Sequence, residues 1–141
     1  TGRPMLVHVN HPNFGWALRA DHIARLRGPA MFEVANGHPG VNNLGDDTYL
    51  SVERMWDVIL TKRLAEYGLP IMYGFGTDDA HTFAVPGGAG PGRAWVMVRA
   101  SALTADDLIE AMDRGDFYPS TGVTLKPNFG EKFDWPVEYS S

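Results

Sequence analysis

Three short, mostly apolar and β-prone runs, at 5–10, 30–35 and 71–76, are set apart by stretches of helical pattern, and this alternation decides the fold class. Strands that lack a polar face are buried on both sides, as parallel strands are when helices cover the sheet. The clearest helix runs from Ser51 to Tyr67. Val52, Met55, Trp56, Ile59, Leu60 and Leu64 recur there on one helical face. Ser51 suits the N-cap, Gly68 the first position past the end, and Pro70 blocks continuation. A weaker helical pattern over 16–27 closes at Gly28-Pro29. Residues 94–100 read as a fourth strand. Thr104, with Asp107 three residues on, opens another helix that ends at Gly115. Residues 117–125 read as a last strand and 126–141 as an irregular tail. The order β-α-β-α-β-β-α-β predicts an α/β layer or barrel with mainly parallel strands, and no domain boundary interrupts it.

Composition removes several kinds of chemistry. With no cysteine there are no disulfides, thiolate zinc sites or cysteine nucleophiles. A metal must then be held by His, Asp or Glu, which suits Zn, Mn or Fe. The 12 Lys and Arg residues form no basic stripe and the net charge is −5, so nucleic acid is not an expected partner. No apolar run approaches the roughly 18–20 residues that span a bilayer, and no signal peptide is visible, which favours the cytoplasm. The glycine-rich loop 86–92 lacks the Gly-Lys-Ser/Thr ending of a phosphate loop.

Two features carry chemistry. His11 follows the first strand and Asp79-Ala-His81 follows the third, and in parallel α/β folds the functional groups gather at the carboxyl ends of strands. In an extended segment Asp79 and His81 point to the same side, roughly 6.6 Å apart at Cα. They can therefore converge on one ion, at about 2.0–2.2 Å, or on two adjacent ions. A bound ion lowers the pKa of its water to about 7, and Asp79 is the candidate to orient or deprotonate that water. Spacing alone also allows Asp79 to cap a loop and His81 to bond to backbone.

Other residues admit two readings each. His8 is a core or supporting histidine. His38, in the long loop from 36 to 47, touches substrate or is merely solvated. His22 belongs on the surface. Glu33, a carboxylate inside an apolar strand, needs a partner, so it supports a ligand histidine, binds substrate or fills a satisfied structural role. Asp78 supports the site or caps a loop. Arg93 and Arg99 suit surface ion pairs, and Trp16, Trp56 and Trp95 suit the core.

The segments Val7-His-Val-Asn-His-Pro-Asn13, Phe32-Glu-Val-Ala-Asn36, Gly76-Thr-Asp-Asp-Ala-His-Thr-Phe83, Trp95-Val-Met-Val-Arg-Ala100 and Gly115-Asp-Phe-Tyr-Pro-Ser-Thr-Gly122 occur in this order. Together they resemble the PHP (polymerase and histidinol phosphatase) family of metal-dependent phosphoesterases over most of residues 5–125. The resemblance implies a distorted seven-stranded (β/α) barrel with up to three divalent ions. It makes His11, Asp79 and His81 ligands and implies a small-molecule ester substrate, in the first instance a phosphate ester. It also implies ligands upstream, including an early His-x-His pair that this chain lacks. The chain opens on Thr1 rather than Met. Residues 1–125 are therefore expected to be the C-terminal part of such a domain, with an open sheet edge that favours a homo-oligomer. Rival readings are a carboxyl- or carbamate-ester hydrolase on the same fold, a non-haem Fe(II) oxygenase using two His and one carboxylate, and a non-catalytic remnant.

Overall fold

The computed structural model describes residues 4–125, so the expected tail at 126–141 lies outside the described residues. Three parallel strands form the centre: β1 (His8–Val9), β2 (Met31–Asn36) and β3 (Tyr73–Thr77), in the spatial order β1-β2-β3. Helix α1 (Ala20–Ala24) links the first two strands and α2 (Val52–Lys62) the last two. Beyond β3 come β4 (Trp95–Val98), α3 (Ala105–Asp113) and β5 (Phe117–Ser120).

The α/β class and the parallel central sheet are as expected, and no closed barrel is present among the described residues. One correction applies: β4 pairs with β5 antiparallel, as a separate two-stranded sheet. The segment that holds the nine-residue α3 returns to the end of β4 that it left, so Val98 pairs with Phe117. The first helix is also shorter than its pattern suggests. Gly15 and Trp16 both sit at φ 57°, the left-handed region, where a right-handed helix cannot run.

Local signals worked at helix ends. Ser51 Oγ accepts the N–H of Arg54 at 3.1 Å, and Thr104 Oγ1 accepts that of Asp107 at 3.2 Å. The predicted helix 51–67 finishes in a wider π-type turn, Arg63–Tyr67, closed by Gly68 at φ 58° and by the N–H of Leu69 on the Arg63 carbonyl.

Strand alternation sends side chains to two cores. On one face, Val9 and Phe32 meet Ile23, Ala24, Val52, Met55 and Ile59 of the helices. On the other, Met31 and Phe75 meet Phe117 and the inner residues of β4. Trp56 lies flat over Gly74, where a Cβ would come 3.2 Å from its ring, and donates its indole N–H to the Met72 carbonyl at 2.8 Å. Arg63 is fully buried, and burial lowers its pKa. Its guanidinium donates to the carbonyls of Pro70, Leu26 and Ala24, tying the end of α1 to the approach to β3. Among the described residues no helix is long and apolar enough to cross a membrane.

Candidate functional site

The carboxyl ends of all three parallel strands meet, and one buried side chain ties them together. Glu33 on β2 is 1% exposed. Its carboxylate accepts the backbone N–H of His11 from the end of β1, the hydroxyl of Thr77 from the end of β3, and Nδ2 of Asn36 at 3.0 Å. In a regular strand residues 33 and 36 would point to opposite faces. The pairing with β3 slips between Glu33 and Ala35, which inserts one residue at Val34 and restores Asn36 to the side of Glu33. Asn36 then serves as a hub. Its Nδ2 also lies 3.3 Å from Asp79 Oδ2, its Oδ1 accepts the N–H of His38, and Asn43 bonds to both its backbone groups.

Above this layer the polar and aromatic side chains form a chain of contacts that runs from His11 to Asp79. The His11 ring meets Phe14 edge-on at 5.6 Å, and Phe14 meets His38 at 6.5 Å. His38 meets His81 at 5.1 Å, and His81 Nε2 stands 3.2 Å from Asp79 Oδ1. Partial burial works to raise the Asp79 pKa, but the hydrogen bonds with Asn36 and His81 and the fields of His11 and His81 outweigh it and hold the carboxyl below its ordinary value. His11 and Asp79 both take positive φ, 25° and 47°, and these turns carry the chain sharply out of β1 and β3.

Of the residues singled out from the sequence, His11, His38, Asp79 and His81 come together at the mouth, with Glu33 directly beneath. His8 does not join them: it is exposed and packs edge-on against Phe75 at 4.6 Å. Asp78 turns away and caps a loop. Its carboxylate accepts the N–H groups of Gly92, Arg93 and Ala94, pinning the glycine-rich segment to the end of β3. These bonds, that of Ala94 first, lower its pKa. Arg93 spends its guanidinium on the carbonyls of Gly37 and Gly88 rather than on a surface carboxylate. His22 is on the surface, as expected. Sequence reasoning missed the roles of Asn36, Thr77 and Phe14. The Asn-Gly at 36–37, closing a strand, was the available signal for the first.

The donors fit a metal ion in part. Two ligands held at roughly 2.0–2.2 Å and 90–110° apart lie about 2.8–3.6 Å from each other. The 3.2 Å between Asp79 Oδ1 and His81 Nε2 falls in that range. However, no group of three or more His, Asp or Glu side chains among the described residues is arranged to hold an ion. No known family model, curated protein or solved structure matches the chain.

Proposed function

We propose that the chain is a metal-dependent ester hydrolase of the phosphoesterase type, acting at the carboxyl ends of β1, β2 and β3. The observation that carries this reading is the chain of contacts from His11 through Phe14, His38 and His81 to Asp79, over a buried Glu33. Asp79 and His81 already stand at ligand spacing, and His11, just past the end of β1, is the candidate third donor. A divalent ion such as Zn, Mn or Fe would, when held there, supply Lewis acidity toward the ester and toward water. Asp79, whose pKa lies below its ordinary value, would be the residue to orient that water or take its proton. Glu33 fixes the backbone at His11, and Asn36 fixes the second oxygen of Asp79. The parallel order β1-β2-β3, with the site at the carboxyl ends, supports an arc of a (β/α) barrel as the finer architecture.

A non-catalytic reading also has an observation in its favour, since both Asp79 oxygens already have protein partners, Asn36 and His81. Titrating the full chain with Zn²⁺, Mn²⁺ and Fe²⁺ separates the two. The hydrolase reading expects saturable binding, weakened at least about tenfold in Asp79→Asn and in His81→Ala. It also expects turnover in a panel of phosphate, carboxyl and carbamate esters, and that panel chooses among the ester classes. No saturable metal binding and no turnover would leave the non-catalytic reading standing.

A further inference from the structure

His38 is held more tightly than a solvated loop histidine needs to be. Its backbone N–H donates to Asn36 Oδ1 at 2.8 Å, and its Nδ1 accepts the backbone N–H of Gly40 at 2.9 Å. Gly40 lies against the ring itself: a Cβ there would stand 3.1 Å from both Cε1 and Nδ1. Phe14 and His81 meet the ring edge-on from two further directions.

The Gly40 N–H assigns the tautomer. When one nitrogen of a neutral imidazole accepts, the other carries the proton. Nε2 is therefore an N–H donor, and it has no protein acceptor among the described residues. A nitrogen that carries its proton has no lone pair for an ion, so in this state His38 is not a ligand through Nε2. It presents an oriented N–H beside the Asp79–His81 pair. An N–H donor calls for an acceptor oxygen, and Arg93, bonded to the carbonyl of Gly37, adds to the loop that carries His38 a positive charge opposite in sign to Asp79.

We propose that His38 is a ligand-contacting residue of this mouth, whose Nε2–H donates to an anionic oxygen of the bound molecule. Its place beside the reacting groups rests on the hydrolase reading above, whereas the hydrogen bond itself needs no metal. The ligand chemistry is an oxyanion, either a phosphoryl or a carboxyl oxygen.

The test titrates inorganic phosphate, and separately acetate, onto the full chain, following the His38 ring by ¹H–¹⁵N correlation NMR without Mn²⁺ and the binding itself by calorimetry with and without Mn²⁺. The expected spectrum shows the Nε2–H tautomer, and its cross-peak moves with at least one anion. The anion that binds more tightly identifies the source of the oxygen. Loss of one hydrogen bond to a charged group should weaken that anion about tenfold in His38→Ala. His38→Gln, which keeps an N–H donor, should recover part of the loss, and Mn²⁺ affinity should stay unchanged in both variants. The proposal is overturned by the Nδ1–H tautomer, by a wild-type chain that binds neither anion, by His38→Ala affinities equal to wild type, or by equal losses of anion and Mn²⁺ binding. Failure of the chain to bind Zn²⁺, Mn²⁺ and Fe²⁺ alike, with anion affinity still dependent on His38, would sink the hydrolase reading and keep this one.

Discussion

The Glu33 carboxylate accepts the backbone N–H of His11, a residue 22 positions earlier in the chain. Because the same carboxylate also takes the Thr77 hydroxyl and the Asn36 amide, it joins the ends of all three strands. Removing it strands three donors in a partly buried layer. Glu33→Ala should cost about 2–5 kcal/mol, and Glu33→Gln less, since the amide still accepts from some of them. Urea denaturation of both variants checks this. A loss below about 1 kcal/mol for the alanine variant would show that the tie is not structural.

Arg63 makes a parallel case toward the amino ends of the strands. Its buried guanidinium serves three carbonyls from two segments and has no ion-pair partner among the described residues. Arg63→Ala leaves those carbonyls unpaired and opens a cavity, so stability should fall by about 2–4 kcal/mol. Arg63→Lys should recover only part of it, because one ammonium cannot reproduce the fork. Thermal unfolding of the two variants side by side reads the difference.

Asp78 predicts a pH dependence. Backbone N–H donors, that of Ala94 first, hold its folded pKa below the ordinary 3.8. A depressed carboxyl contributes stability that is complete above its ordinary value and is lost as pH falls through the lowered one. Wild type should therefore exceed Asp78→Asn in stability at neutral pH, and the gap should close as the solution is acidified below about 4. Parallel denaturation curves at a series of pH values would expose a gap that stays constant, which would remove Asp78 as the cause.

Gly40→Ala probes the seating of His38 without touching its chemistry. The added Cβ must displace the ring, 3.1 Å away, while the backbone at 40 needs no left-handed φ. Anion affinity should fall severalfold, with the unfolding midpoint almost unmoved. Wild-type affinity in this variant would mean that the ring's position does not matter.

Much of this fold could be read from local pattern, because local pattern is where its causes lie. Ser51, Thr104 and Gly68 mark helix ends through bonds to neighbours three to six residues away, and such contacts are written into the adjacent sequence. The placing of His11 and Asp79-x-His81 at strand ends followed from the same short-range signals. What could not be read depends on distant partners. The extra residue at Val34, which brings Asn36 beside Glu33, exists only as a register with β3. Asp78 could not be told from a supporting carboxylate until the N–H groups of residues 92–94 were seen on it. The antiparallel turn of β5 depends on how far α3 carries the chain back, a sum of lengths that no motif records.

The left-handed backbone at His11 and Asp79 has a consequence for how this protein would change under selection. Each of these side chains occupies a conformation that suits glycine better, at a cost of roughly 1 kcal/mol apiece. A population chosen only for heat tolerance would gain by giving both residues up. Their retention would have to be enforced by whatever the mouth does, whereas Trp16, the other non-glycine residue at positive φ among the described residues, stacks on Tyr49.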